Sequence, residues 1–373
     1  MSEFVQPNAN TYMTIKKIVS IHSEDRDITK YPTSSLFDVQ LPTDYKNIVS
    51  ITLDSIDIPK SIYVFSNHLQ NIKLTFYVTP VHTLGSGMNP TTFETWDYTT
   101  GMALLQNKNG YTITISEGNY LSEEMKNELS GLMNQAVTSY LSSVGISTTY
   151  EYFTVFNHDV NFKFLFGNKR DMFSFDFTKT YDYGCGQATY NVYNQYFLWG
   201  LGSYLGFNKE IYSSTKTTET INFYWAQIKW FIPDATKTPF HLIEPPNSYN
   251  LIGDTQFYME LSGYNSIDEI FPYTERSSNM YNAKQNASVD IAFAKIANVQ
   301  LQNVTPNYNL TNSFFSDPPL ERLQKIKIKL RYHNGLLVDL RNQNFNFSLS
   351  FNLLRPDIPK GYFITKPPTY LIK

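Results

Sequence analysis

Apolar and polar residues alternate one for one in short runs near the start of the chain. Residues 36–41 place Phe37, Val39 and Leu41 on one side of an extended chain and Leu36, Asp38 and Gln40 on the other. Residues 18–21 and 48–58 have the same character. Alternation with a period of two, carried by β-branched residues, predicts half-buried β-strands.

Similar runs recur to the end of the chain, and long polar segments separate them. We interpret residues 79–109, 265–283 and 298–319 as loops, and residues 245–247 as a proline-marked boundary. Strands are predicted at residues 72–78, 111–116, 150–156, 161–166, 172–177, 220–232, 256–262, 289–296, 325–332, 336–340 and 345–353.

Two of these runs carry phenylalanine at every second position. The first has Phe162, Phe164 and Phe166, and the second has Phe173, Phe175 and Phe177. Rings at this spacing cover one face of a sheet, where aromatic cross-strand pairs add about 0.2–1 kcal/mol each. Burial between two sheets is the preferred interpretation, and a platform for carbohydrate is the alternative.

One helix is predicted, over residues 121–144. Ser122 is a suitable N-cap, and Glu123 and Glu124 suit the positive end of the helix dipole. Gly145 favours a helix end. The apolar stripe predicts a core-facing side, with a partner helix as the alternative. It consists of Leu121, Met125, Leu129, Leu132, Met133, Val137, Tyr140 and Leu141.

The strand at residues 325–332 alternates strictly between basic and apolar residues. Its basic positions are Lys325, Lys327, Lys329 and Arg331. They could meet phosphates or an acidic neighbour, but a solvated face needs no partner, and lysines discourage pairing between sheet edges. We expect a solvated face.

The glycine-rich segment at residues 199–212 could be mistaken for a phosphate-binding loop. Its glycines, at 200, 202 and 206, lack the spacing and the following helix of the dinucleotide fingerprint. A tight turn packed under a sheet is the interpretation we prefer.

Composition narrows the function further. The 373 residues include 28 Tyr and 27 Phe, and the formal net charge is −3. The apolar content argues against a disordered chain, and the charge argues against nucleic-acid binding by an overall positive field. Cys185 is the single cysteine, which excludes an internal disulfide. Neither a signal peptide nor a transmembrane segment is recognisable, so we expect synthesis in the host cytoplasm.

Candidate chemistry is sparse. The six histidines, at 22, 68, 82, 158, 241 and 333, show no metal-ligand spacing. The acidic loop at residues 23–27 could hold calcium, but it lacks the glycine and the distal glutamate of an EF-hand loop. We expect a solvated turn with a local ion pair.

The four glycosylation sequons, at Asn286, Asn303, Asn309 and Asn346, are expected by chance. No catalytic residue, cofactor or metal site is predicted, and the protein is expected not to be an enzyme.

Four further stretches carry a recognisable set of residues. They are a helix-start element at residues 117–124, the turn with Leu205, Gly206, Phe207 and Tyr212, and residues 330–340 and 345–351. The N-terminal part of the set consists of Ser23, Asp25, Arg26, Asp27, Tyr31, Pro32, Phe37, Val39, Leu41, Pro42, Tyr45, Asn47, Ile48, Ser50, Ile51, Leu53, Ile58, Pro59 and Ser61. Together these stretches resemble a family of minor capsid and virion structural proteins of large icosahedral nucleocytoplasmic double-stranded DNA viruses. Compared with that family, Glu117 replaces the usual proline, Asn334-Gly335 replaces Asp-Gly, and Leu340 replaces phenylalanine.

Together these patterns predict a mainly β protein, a jelly-roll-like antiparallel sandwich with an inserted amphipathic helix and extended terminal arms. The expected parts are an arm (1–12), a β-rich domain (13–245), a second β-rich portion (246–354) and a tail (355–373).

The resemblance implies a cement or vertex-type capsid protein. Its partners would be the major capsid protein, other minor capsid proteins and further copies of itself, and not nucleic acid. The alternatives are a penton or spike-type protein that binds a receptor or glycan, and a β-sandwich hydrolase, which no constellation of residues favours.

Overall fold

A computed structural model describes residues 12–80, 95–179, 181, 199–217, 222–223, 228–229, 240–271, 288–298, 312–333 and 335–356. The chain divides into two compact units. Unit 1 combines residues 1–62 with residues 254–373, and unit 2 is residues 63–253. The predicted boundary near residue 245 and the predicted terminal arms stay predictions.

The described residues are mainly β, which confirms the predicted fold class. The helices are α1 (Thr95–Gln106), α2 (Ser122–Ser143) and the short α3 (Leu201–Tyr204). The strands are β1 (Tyr12–His22), β2 (Leu36–Tyr45), β3 (Ile48–Asp57), β4 (Lys73–Thr79), β5 (Tyr111–Thr114), β6 (Phe153–His158), β7 (Lys163–Asn168), β8 (Met172–Asp176), β9 (Ile211–Ser213), β10 (Thr215–Thr217), β11 (Asn222–Phe223), β12 (Ile228–Lys229), β13 (Phe240–Ile243), β14 (Gln256–Leu261), β15 (Ile267–Phe271), β16 (Ser288–Ala292), β17 (Ala294–Ala297), β18 (Ser313–Leu320), β19 (Leu323–Arg331) and β20 (Asn346–Pro356).

Unit 1 joins the two ends of the described chain in one sheet. Its strand order is β1-β20-β3-β18, and β1 pairs antiparallel with β20 along all 11 of its residues. Phe347, Leu349 and Phe351 of β20 are buried on one face, whereas Ser348 and Asn352 lie on the other. The alternation seen in the sequence therefore decides which face of this sheet packs on the core.

A second sheet of unit 1 has the order β17-β14-β19-β2, and a two-stranded ribbon pairs β15 with β16. Phe37 of β2 is buried and contacts Phe345 edge-on, with ring centroids 6.0 Å apart. This contact joins the second sheet to the residue that directly precedes β20.

Unit 2 contains two four-stranded antiparallel sheets, ordered β10-β13-β7-β6 and β5-β4-β8-β9. Its core combines aliphatic and aromatic side chains, and 12 of the 30 buried core residues in the described ranges are Phe or Tyr. The predicted burial of the phenylalanines is confirmed for Phe164, Phe166, Phe173, Phe175 and Phe177. Phe162 departs from the prediction because it lies before β7 with a positive φ and is exposed.

Helix α2 confirms the predicted helix and most of its core-facing stripe, but Leu121, at the start of the predicted stripe, is 70% exposed. Met125, Leu129, Met133, Val137 and Leu141 are all buried in the core of unit 2. At the far end Gly145 adopts a φ of 84°, and the Ile146 N–H donates to the carbonyl of Leu141, as in a Schellman motif.

The predicted cap at Ser122 is wrong. The N-cap position is Leu121, whose N–H donates to the Glu124 carboxylate at 2.8 Å. Half of a capping box therefore starts the helix, and Ser122 instead accepts a hydrogen bond from Asn157.

Three segments interpreted as loops contain regular structure. They hold α1, β15 and β18, respectively. Tertiary contacts support α1 although its sequence has no clear amphipathic stripe. Leu104 is buried, and the Tyr140 hydroxyl donates to the Ala103 carbonyl at 3.1 Å.

Two predicted strands are also corrected. The predicted strand at residues 220–232 is not one continuous strand, because its described parts, β11 and β12, pair antiparallel with each other. Residues 336–340 form no regular strand, and a single bridge joins Leu337 to Arg331. Ahead of them, the Tyr332 N–H donates to the Leu336 carbonyl, and Gly335 has a positive φ.

The glycine-rich segment forms the expected tight turn. Gly206 has a φ of +90°, and a Cβ built there would lie 2.3 Å from the Asn247 carbonyl oxygen. The neighbouring Leu205 and Phe207 are buried in the core of unit 2. Position 206 thus requires glycine for both its backbone conformation and its close approach to residue 247.

We predict that Gly206→Ala lowers the free energy of unfolding of the chain by about 2 kcal/mol or more, because it adds strain and a backbone clash. The matched control is Gly131→Ala in α2, where an added Cβ meets nothing within 4 Å. The control should gain up to about 1 kcal/mol from helix propensity. Urea unfolding of both variants checks this, and equal stabilities would contradict it.

Candidate functional site

The side of β19 that carries its lysines and Arg331 is the most strongly charged surface that the sequence analysis identified. As predicted, Ile326, Ile328 and Leu330 are buried on the opposite face. Lys325 and Lys327 are exposed, and Lys329 is half-buried. The prediction of a solvated face therefore holds for the first part of the strand.

Arg331 corrects the prediction at the end of the strand. Its side chain is 0% exposed and forms ion pairs with Glu260 of β14 and Glu269 of β15. The guanidinium also donates to the Tyr332 carbonyl at 3.3 Å and lies 5.4 Å from the centre of the Tyr258 ring.

These carboxylates lie far from Arg331 in sequence, so no local spacing signals the cluster. The only available hint is an arginine where the other cations of the strand are lysines. A guanidinium is more weakly hydrated than an ammonium and suits buried pairs with two carboxylates.

His333 continues the cluster towards solvent. Its Nδ1 lies 2.8 Å from Glu269 Oε1, and 53% of its side chain is exposed. Burial raises the pKa of the nearby Asp254, and a charge on His333 opposes that shift. Glu269 thus connects the β15–β16 ribbon to two basic side chains of the β19 end.

Asp38 of β2 organises the exposed half of the face. Its carboxylate lies 2.5 Å from Lys325 and 3.2 Å from Lys30, and accepts a 2.7 Å hydrogen bond from the Tyr31 hydroxyl. These contacts, led by the one with Lys325, lower the pKa of Asp38 to about 2. Lys329 pairs with Glu260 at 3.2 Å.

Ionisable groups in this face connect neighbouring strands, and their geometry offers no nucleophile beside a base. Within the ranges that the structure describes, no three His, Cys, Asp or Glu side chains form a group suited to a metal ion.

The acidic loop at residues 23–27 is a turn, but the predicted local ion pair is wrong for Arg26. Its guanidinium donates to the Ser23 carbonyl at 2.7 Å and to Asn344 Oδ1 at 2.5 Å. Asp27 accepts hydrogen bonds from the backbone and hydroxyl of Thr29. The loop is held by backbone and amide groups rather than by a carboxylate–guanidinium contact.

Unit 2 has a buried polar cluster that sequence reasoning missed. The Tyr150 hydroxyl donates to Asp171 at 2.8 Å and accepts from the Asn168 amide at 2.8 Å. Burial, with the Asp171 charge beside it, raises the pKa of Tyr150 well above its ordinary value. The tyrosine is thus held neutral and serves to connect the turn after β7 to the start of β6.

His241 of β13 is also buried in unit 2. It is 1% exposed, and neither ring nitrogen has a hydrogen-bond partner among the described residues. Its nearest neighbours on the adjacent strands are Lys216 of β10 and Asn168 of β7. Burial, and then the positive charge of Lys216, lower the pKa of the imidazole.

Cys185, His82, Asn286, Asn303 and Asn309 lie outside the described residues. Asn346 is the first residue of β20. Among the helices in the described ranges, none has the length and apolar character needed to cross a membrane.

We predict that Arg331→Ala costs about 3–5 kcal/mol of folding stability, because it leaves Glu260 and Glu269 without their buried countercharge. Lys327→Ala on the same strand face is the matched control and should change stability little. Denaturant unfolding checks both. Similar values for the two variants would show that the buried ion pairs do not hold unit 1 together.

We predict that His241 makes the protein less stable in acid. A histidine whose folded pKa is lowered binds fewer protons in the folded state, so stability is lost as pH falls below the ordinary value of about 6.5. His241→Phe should lose less thermal stability than wild type between about pH 7.5 and pH 5. An unchanged pH profile in His241→Phe would contradict this role.

Comparison with known proteins gives only remote likenesses. No family model matches the chain, and no curated protein matches it. The crystal structure of the mavirus penton protein is similar over 92% of this chain and 99% of that chain, with 8% identity and a TM-score of 0.31. A chain of the Sputnik virophage structure is similar over 91% of this chain and 97% of its own, with 11% identity and a TM-score of 0.29. TM-scores this low assign neither a fold nor a function.

Proposed function

We propose that this chain is a non-enzymatic structural protein of the shell of a large double-stranded DNA virus, a minor capsid protein of the cement or vertex type. Its role would be to bury sheet faces against neighbouring shell proteins, the major capsid protein and other minor capsid proteins among them. A stable contact of this kind buries about 800 Å² on each partner.

The single observation that carries the proposal is the meeting of the two end stretches that resemble virion proteins. Both belong to unit 1. The Ser23 N–H donates to the Phe345 carbonyl at 2.9 Å, and Arg26 reaches Asn344. Ser61 donates to the Leu340 carbonyl at 2.9 Å. The matching residues therefore form one folded neighbourhood, as parts of a common structural module would.

The use of the ionisable side chains supports the same role. Arg331, Glu269 and Asp38 hold strands to one another, and Tyr150 with Asp171 does so in unit 2. An enzyme would keep some of its ionisable side chains free for reaction, whereas these form internal contacts. Internal contacts of this kind suit a structural protein.

The alternative is a penton or spike-type protein that binds a receptor or a glycan. An aromatic platform would favour it, but five of the six phenylalanines of the two rows are buried in the core of unit 2. Binding of the purified chain to a glycan array would support this alternative, and we expect no binding by those rows.

We predict that virus particles produced without this protein lack defined density in cryo-imaged shells and release their contents at lower temperature than complete particles. Particles complemented with the wild-type gene should regain both properties. Intact density and unchanged thermal release in its absence would contradict the proposed role.

A further inference from the structure

The exposed side of the β2–β19 pair carries more cations than carboxylates. Each carboxylate there already has a partner: Asp38 pairs with Lys30 and Lys325, Asp44 with Arg322, and Glu260 with Lys329. Lys327 is exposed and has no ion pair among the described residues. We call this surface the basic face, defined by Lys30, Arg322, Lys325, Lys327, Lys329, Asp38, Asp44 and Glu260.

The charge of the basic face is opposite to that of the chain. Five cations against three carboxylates leave it at +2, while the whole chain carries −3, so the remainder carries −5. Carboxylates spaced among its lysines would repel a phosphate backbone, and a flat strand face with lysines on alternate residues suits carboxylates on a protein surface. The fitting partner is therefore an acidic protein surface.

The chain itself has such a surface where α2 begins. Leu121, Val160 and Phe162 are 70%, 64% and 55% exposed. Two hydrogen bonds tie down the segments beside them: the Asn157 amide donates to Ser122 Oγ at 3.0 Å, and the Tyr249 N–H donates to the Phe162 carbonyl at 2.7 Å.

Carboxylates border these apolar side chains. Glu117, Glu123, Glu124 and Asp159 are exposed around them, and Lys126 pairs with Glu123 at 2.5 Å. Large exposed apolar side chains rimmed by charge are typical of protein interaction sites. We call this surface the acidic patch, defined by Leu121, Val160, Phe162, Glu117, Glu123, Glu124 and Asp159.

We propose that the basic face of one copy binds the acidic patch of a second copy. Opposite charges orient the two surfaces, and burial of the apolar side chains of the patch supplies the remaining stabilisation. Because the two surfaces differ, the contact is heterologous and can continue from copy to copy into a ring or a chain. This inference rests on the proposed function, since it names one neighbour of the chain in the shell.

The test measures self-association of the full chain by analytical ultracentrifugation at low and high salt. Wild type should associate at low salt and dissociate as salt screens the charges. Lys327→Glu and Asp159→Lys should each raise the dissociation constant about tenfold. The double variant should return to within about threefold of wild type, because the swapped charges again attract. Lys17→Glu, at an exposed lysine of β1 outside the basic face, is the matched control and should behave as wild type.

Thermal unfolding of each variant separates a folding defect from a loss of association. A wild-type chain that stays monomeric at low salt overturns the inference, as does a control that weakens association as much as Lys327→Glu. Failure of the double variant to recover also overturns it. Mass spectrometry of purified particles tests the proposed function separately. If the chain is monomeric in solution but present in particles, the proposed function stands and only this contact between copies is excluded.

Discussion

The pairing of β1 with β20 is the interaction on which unit 1 depends. The first and last described strands run antiparallel from Tyr12 opposite Pro356 to His22 opposite Asn346, and β3 joins the other side of β20. The apolar residues of β20 reach the core only in this register, since a shift of one residue would turn them to the other face. Both β1 and β20 therefore have to be present before this sheet can form.

Charged side chains add specificity to that hydrophobic arrangement. Arg331 connects β14, β15 and β19 through two carboxylates, and Asp38 connects β2 to β19. Burying an arginine removes it from water, so such a cluster is favourable only because several acceptors surround it. Unit 2 relies instead on a core of phenylalanine and tyrosine rings, in which α2 buries a stripe of aliphatic and methionine side chains. Ion pairs between strands thus add to hydrophobic packing in unit 1, whereas packed aromatic and aliphatic side chains dominate the core of unit 2.

Much of this fold could be predicted from local patterns. Strict alternation located β2, β3, β19 and β20, and helical spacing located α2, because each signal lies within one element. What failed were segments whose structure comes from distant partners. Helix α1 has little amphipathic pattern, and β15 lies in a polar segment. The buried state of Arg331 failed for the same reason, since Glu260 and Glu269 come from other strands. The strands β11 and β12 are a local exception, because no glycine, proline, asparagine or aspartate lies between them in the sequence to signal a break.

We propose that the surface side chains of this protein serve to bind neighbouring proteins of a virus shell. Cross-linking mass spectrometry of purified particles tests that claim most directly. It predicts that lysines of unit 1, such as Lys327, become linked to the major capsid protein or to another shell protein. A chain that is absent from thoroughly purified particles, or present without any link to a shell protein, would contradict the account.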